Sequence, residues 1–160
     1  MAVYYLMTNT KDPIEGEGPD KTKDVDKQYA KWVRVNHVQF SVSATQIQES
    51  DGETGSAQKF ASDVHVSMSA NGPWFVEYLN RGLQVNNKEL GTVKIIAYEE
   101  VLDANSKATW KVKRSLELTD ASILSYQLVA GERIDLALTW SAMTFCFGAG
   151  GKKKEVSITK

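Results

Sequence analysis

The side chains that could bind a metal or act as a nucleophile are few and lie far apart in the sequence. His37 and His65 each fall in a strand-like pattern without a second ligand at a usable spacing, whereas a zinc site needs three or four ligands. Cys146 lies in the apolar run 143–147, where a thiol more often packs as a small hydrophobe than attacks a substrate. The sequence has no nucleophile elbow and no phosphate-binding glycine loop. It therefore predicts neither a metal nor an organic cofactor.

Acidic residues offer the remaining route to acid–base chemistry. Glu15 and Glu17 alternate with glycine in the segment 14–18, and such a pair could exchange protons with a substrate or simply solvate a turn. Glu99 and Glu100 are adjacent, so in a strand they point to opposite faces and cannot share a substrate. We expect no enzymatic activity, and we keep a hydrolase that uses Glu15 or Glu17 as an alternative.

Basic and aromatic clusters suggest ligands of two other kinds. The lysines at 152–154 could bind phosphate, but the formal net charge of −1 and the lack of interleaved aromatic residues favour a solvated tail over a nucleic-acid site. One group of aromatic side chains could stack on a carbohydrate or pack in the core. Its members are Tyr4, Tyr5, Trp74, Phe75 and Tyr78.

Length and composition indicate one ordinary domain that covers residues 1–160. A single cysteine cannot form an intramolecular disulfide, which favours folding in the reducing cytoplasm. The first ten residues contain neither a basic region nor an apolar run long enough for a signal peptide, so export would need another route. No window approaches the roughly 20 apolar residues of a membrane-spanning helix, and no membrane insertion is expected.

Alternation of apolar and polar residues with a period of two predicts strands along most of the chain. In 109–118, Trp110, Val112, Leu116 and Leu118 are predicted to share one face with Arg114. Other strands are predicted at 2–8, 64–68, 93–102, 123–129 and from 134 to 147.

The segment 32–44 contains a change of phase. Val33 and Val35 share one phase, whereas Val38 and the apolar residues after it share the other. A one-residue insertion in a strand turns every later side chain to the opposite face. The pattern therefore predicts a β-bulge at 36–37 and a bent strand of the kind that a barrel needs.

One short helix is predicted after the cap at 71–73, where a proline takes the first helical position. Its apolar stripe is expected to pack on the sheet, and Gly82 ends it. The fold class is thus mainly β: an antiparallel barrel or sandwich with one short lateral helix and long loops. The stripe consists of Trp74, Phe75, Tyr78 and Leu79.

Two polar stretches, 11–31 and 45–59, are predicted to be loops. The second is longer than the usual hairpin connection, and loops of that length are more often functional. The tail at about 149–160 contains two glycines and three lysines and is expected to be flexible.

Three stretches of the chain together resemble one known family. An opening strand at 3–9 leads to Ile-Glu-Gly-Glu at 14–17 and then to Ala-Lys-Trp-Val-Arg-Val at 30–35. A middle strand and short helix follow at 64–79. The third stretch, Leu-Glu-Leu-Thr-Asp-Ala-Ser-Ile-Leu-Ser-Tyr at 116–126, is the most specific. In order and spacing the chain resembles the Hcp family of type VI secretion systems.

The resemblance implies a structural role. Proteins of this family form hexameric rings that stack into a tube, and a contractile sheath drives that tube out of the cell behind a spike protein. The implied partners are other copies of the chain, the spike, the sheath and effector proteins in the lumen. The implied location is the bacterial cytoplasm before firing and the outside of the cell afterwards. The loop 45–59 would contact the next ring, through Gln46, Gln48, Glu49, Asp51, Glu53 and Lys59.

Two other functions stay open at this point. A tail-tube protein of another contractile or phage-like system would share the architecture. A barrel that binds a small ligand would instead enclose an apolar cavity near Trp110 or Trp140.

Overall fold

The computed structural model describes residues 2–9, 13–16, 18, 31–48, 54–69, 80, 90–102, 104–129, 133–148 and 154–159. These residues form eleven strands and confirm the prediction of a mainly β fold. The strands are β1 (Ala2–Asn9), β2 (Val33–Gln39), β3 (Val42–Gln48), β4 (Thr54–Ala61), β5 (Val64–Ser69), β6 (Thr92–Leu102), β7 (Ala108–Thr119), β8 (Ser122–Val129), β9 (Arg133–Thr139), β10 (Ala142–Phe147) and β11 (Lys154–Thr159).

Nine of these strands form one sheet in the order β11-β10-β7-β6-β1-β2-β5-β9-β8, and β3 and β4 form a separate two-stranded ladder. Every pairing is antiparallel. Among the described strands, β8 and β11 each have one neighbour and are not hydrogen-bonded to each other, so the large sheet is open between them.

One hydrophobic core unites all nine strands of the large sheet. Each strand contributes at least one buried residue to the same cluster, which requires the sheet to curl around it. One such residue from each strand, in chain order, is Leu6, Val33, Val66, Ile95, Leu118, Ile123, Leu136, Met143 and Ile158.

The bulge predicted in β2 is confirmed. Val35 pairs with Met68 and His37 pairs with Ser67, so Asn36 is the inserted residue. Val33 and Val35 are buried in the core before the bulge, and Val38 packs against the same core after it. Because of the inserted residue, the apolar residues on both sides of the bulge point to the inner face, even though they have opposite phases in the sequence.

A second bulge, which the alternation did not reveal, lies in β7. Ala97 pairs with Arg114 and Tyr98 with Val112, so Lys113 is the inserted residue. Val112 consequently packs with a cluster on the outer face, whereas Leu116 belongs to the core. The prediction that Val112 and Leu116 share a face is wrong, because a bulge reverses every side chain on one side of it.

The outer cluster covers the other side of β1, β6 and β7. Tyr5, Ile96 and Tyr98 are buried there, and Trp32 and Val112 pack against them. The predicted helix, with Trp74, Phe75, Tyr78 and Leu79, lies outside the described residues, apart from the helical Asn80 near its end.

The run predicted from 134 to 147 is two strands, β9 and β10, joined at Trp140 and Ser141. Trp140 is buried, and its Nε1 donates to the carbonyl oxygen of Ser62 at 3.3 Å. The tail expected to be flexible instead contains β11, which pairs with β10 along its length. That expectation is wrong for residues 154–159, since Ile158 is buried against the core and holds the strand in place.

Candidate assembly surfaces

The residues that could carry metal or nucleophilic chemistry are dispersed in the structure. His37 and His65 are exposed on strands, and Nε2 of His37 lies 3.4 Å from Oε1 of Gln39. Cys146 is half-buried in β10 between Ser115 and Glu155 of the neighbouring strands. Within the described ranges, no three His, Cys, Asp or Glu side chains come close enough to hold a metal ion.

The three candidate acidic residues that the structure describes, Glu15, Glu99 and Glu100, are held in ion pairs or are exposed. Glu15 is exposed and lies 3.1 Å from Nζ of Lys31, while Glu17 is outside the described residues. Glu99 pairs with Arg114 at 2.7 Å, and the adjacent Glu100 is exposed. Glu15 thus lies on a surface turn with a lysine partner.

That turn is fastened to the start of β2 by its backbone. Gly16 N donates to Lys31 O and Gly18 N donates to Trp32 O, each at 2.8 Å. A Cβ on Gly16 would lie 2.6 Å from Cγ2 of Val33 and 2.7 Å from its Cα, which no side chain tolerates. Gly16 therefore permits close contact with Val33, and Gly18 adopts a φ of 71°, so both glycines of the motif have a structural reason.

The aromatic residues near the N-terminus do not form a joint stacking platform. Tyr5 is buried in the outer cluster, whereas Tyr4 packs against the core on the opposite face. The other candidates for such a platform, Trp74, Phe75 and Tyr78, lie outside the described residues.

An apolar hollow of about 120 Å³ opens at one side of the core. Phe40 and Phe145 form part of its wall, with ring centroids 6.0 Å apart and planes inclined at 53°. Arg114 is its one charged lining group, and its Nη2 donates to Oε1 of Glu99 at 2.7 Å. The remaining lining residues are Tyr4, Val38, Ile95, Ala97, Ser115 and Leu116.

The segment expected to be a long polar loop is mostly a β-hairpin. β3 and β4 pair from Val42 and Ala61 outwards, with a register shift between Gln46 and Gln48. The backbone of Ser41 closes the base of the hairpin, where Ser62 N donates to Ser41 O and Ser41 N donates to Ser62 Oγ.

Three of the six residues predicted to contact a stacked ring lie on the described strands of this hairpin. Gln46 and Gln48 lie on β3 and Lys59 lies on β4, while Glu49, Asp51 and Glu53 are outside the described residues. The loop prediction is wrong for 45–48 and 54–59, because polar side chains do not prevent two strands from pairing through their backbones.

Three of the five large apolar side chains that are exposed in the described part of the chain lie on the end strand β8. Leu124, Tyr126 and Leu128 are 61%, 50% and 57% exposed, respectively. We call these three residues the β8 edge patch. Sequence reasoning found the strand and missed its exposure, although the absence of charged residues from 121–129 was a signal of an unusual edge.

Two further large apolar residues are exposed elsewhere. Phe147 ends β10, next to the other end strand β11, and is 52% exposed. Leu102 ends β6 in the middle of the sheet order and is 67% exposed.

Comparison with solved structures identifies this arrangement. The chain matches a type six secretion system protein with a TM-score of 0.68 and 17% identity, over 99% of this chain and 96% of the other. It matches an E. coli Hcp1 variant with a TM-score of 0.65 and 12% identity, over 98% and 97% of the two chains. The chain has the Hcp fold. A third structure with that fold, the secreted protein Hcp3 from Pseudomonas aeruginosa, matches at a TM-score of 0.57 and 14% identity over both complete chains.

The resemblance noted in the three sequence stretches is thus confirmed for the fold. No protein-family model matches the chain, and no curated protein matches its sequence. With identities this low, the likeness to these structures is one of fold, and few side chains are shared. Among the described residues, no helix is long and apolar enough to cross a bilayer.

Proposed function

We propose that this protein is a structural subunit of the inner tube of a type VI secretion system and has no catalytic role. The observation that carries the proposal is the Hcp fold, which extends over nearly the whole chain.

In this proposal six copies form a ring, and rings stack into a tube. A ring of this kind uses two different surfaces of each copy and closes when the rotation between copies fits. Among the described strands, β8 and β11 each have a single hydrogen-bonded neighbour, which supports such a contact because an end strand can pair with another chain.

Ring stacking is assigned to the hairpin β3–β4. The hairpin forms its own two-stranded ladder, which is not hydrogen-bonded into the large sheet, so its backbone pairing does not depend on that sheet. Its proposed contact residues are Gln46, Gln48, Glu49, Asp51, Glu53 and Lys59.

The remaining partners follow from the same role. A contractile sheath would surround the tube, a spike would sit at its tip, and effectors would travel inside it. The protein would wait in the bacterial cytoplasm and leave with the tube, which needs no signal peptide. A tail tube of another contractile or phage-like machine would use the same ring, and association with a type VI sheath in pull-down experiments separates these two cases.

The experiment that tests the ring is the mass in solution, measured by light scattering behind a sizing column. A particle of six times 17.8 kDa is expected. A protein that stays monomeric from micromolar to millimolar concentration contradicts the proposal.

The apolar hollow supports a second candidate function, the binding of a small ligand. Its volume of about 120 Å³ is close to that of apolar cavities that accept a benzene-sized molecule. Because Arg114 is already paired with Glu99, a neutral aromatic ring fits better than an anion. If this function is real, indole should shift the amide resonances of Phe40 and Phe145, and Ala97→Leu, which fills the hollow, should abolish the shifts.

A further inference from the structure

The β8 edge patch is an apolar surface on a strand with one described neighbour. β8 pairs with β9 on one side, and no described strand pairs with its other side. Natural edge strands are usually protected by charged side chains, proline or a bulge. The segment 121–129 contains no charge and no proline, so its only such feature is the bulge at Leu124.

Two residues of the patch lie on the face that carries the core. Tyr126 pairs with Leu136 and Leu128 with Ile134, and directly opposite residues of an antiparallel pair share a face. Leu136 and Ile134 are buried in the core, whereas their partners on β8 are not. An apolar group that covered Tyr126 and Leu128 would therefore extend the core by one more strand.

The opposite end of the same sheet carries a matching feature. Phe147 follows Phe145 by two residues on β10, and Phe145 packs against the core, so Phe147 lies on the core face as well. It is half exposed beside β11, the other end strand. The core face thus has an uncovered apolar group on β8, at one end of the sheet, and another on β10, next to the other end strand, where Lys154 of β11 lies opposite Phe147.

We propose that the β8 edge patch of one copy docks against the β10–β11 end of the next copy, around Phe147. This inference rests on the proposed tube function and names the two surfaces that join neighbouring copies. Backbone pairing between the two end strands would add hydrogen bonds to the apolar contact, as in other cases of strand addition. A contact between two β8 strands is disfavoured because it would leave the Phe147 end uncovered in every copy.

The first test compares single lysine substitutions by light scattering over a range of protein concentration. Leu128→Lys and Phe147→Lys should each raise the concentration at half-assembly at least tenfold. Gln127→Lys is the matched control, because Gln127 is exposed on the other face of β8 and gains the same charge. Circular dichroism tests whether each variant is folded. If a lysine variant does not fold, the threonine substitution at the same position, Leu128→Thr or Phe147→Thr, takes its place.

The second test mixes the two variants. Leu128→Lys keeps the Phe147 end and Phe147→Lys keeps the β8 edge patch, so an equal mixture should form heterodimers while each variant alone stays monomeric. A wild-type protein that never assembles overturns the proposed tube function. Wild-type assembly together with unchanged assembly of Leu128→Lys overturns only the surface assignment, as does a mixture that forms no heterodimer.

Discussion

Tyr126 lies directly opposite Leu136 in the β8–β9 ladder, yet Tyr126 is 50% exposed and Leu136 only 1% exposed. Both side chains are on the core face, so the core of a single copy ends between these two strands. Ile123, on the other side of the bulge at Leu124, is buried. The bulge is therefore the point at which β8 leaves the core and becomes available to another surface.

A pair of truncations tests where the core ends. Leu136→Ala should lower the free energy of unfolding by about 2–5 kcal/mol, because it leaves a cavity among buried side chains. Leu128→Ala should lower it by less than about 1 kcal/mol in the monomer, since more than half of Leu128 is already in water. Urea denaturation at a concentration below assembly measures both. Equal losses would show that β8 is part of the core along its whole length.

Gly16→Ala should be strongly unfavourable for a residue on a surface turn. The new methyl group would overlap Val33, including its backbone, so the segment 14–18 would have to move away from β2. We expect a loss of about 1–3 kcal/mol in the free energy of unfolding. Glu15→Ala is the control, because it removes only an exposed ion pair worth at most about 1 kcal/mol. A Gly16→Ala protein as stable as the control would contradict the close approach.

Sequence patterns predicted the strands because burial of one face makes apolar and polar residues alternate with a period of two. The phase change at 36–37 even located the bulge in β2, since apolar residues stand on both sides of it. The bulge at Lys113 causes no visible change of phase in the sequence. Val112 and Leu116 have the same phase, and Val112, which the bulge turns to the outer face, packs there in an apolar cluster.

The surfaces proposed for assembly were harder to predict because their strands are fixed by tertiary pairing. β3 and β4 contain many polar residues and no clear apolar alternation, so the sequence pattern did not reveal their backbone pairing. β11 follows a glycine-rich segment and is held through Ile158. The exposure of Leu128 depends on the position of β8 at the end of the sheet, which alternation within one strand does not encode.

The outer cluster gives a test of the predicted helix. We propose that the stripe with Trp74 packs over Tyr5 and Tyr98. In that case Trp74→Ala should cost about 3–5 kcal/mol of unfolding free energy. Glu77→Ala, off the stripe on the same segment, should cost less than about 0.5 kcal/mol.

A double-mutant cycle makes this test specific to the outer cluster. Trp74→Ala combined with Tyr98→Leu should show a coupling of about 0.5–1.5 kcal/mol, as expected for two aromatic rings in contact. A negligible effect of Trp74→Ala would mean that the stripe faces solvent or a partner.

The hairpin β3–β4 should contribute to stacking between rings and little to the stability of one copy. Replacement of residues 48–55 by Asn-Gly, a sequence suited to a tight two-residue turn, removes the outer part of the hairpin and keeps its base at Ser41 and Ser62. The melting temperature and the mass of the ring should stay unchanged, while tubes should disappear from electron micrographs. A second variant of unchanged length, with Glu49→Gln, Asp51→Asn and Glu53→Gln, tests whether the charges or the length of the hairpin matter. If the charges hold the rings together, this variant also forms no tubes. If it forms tubes like the wild type, stacking depends on the length of the hairpin. Tubes that persist in both variants would show that stacking uses another surface.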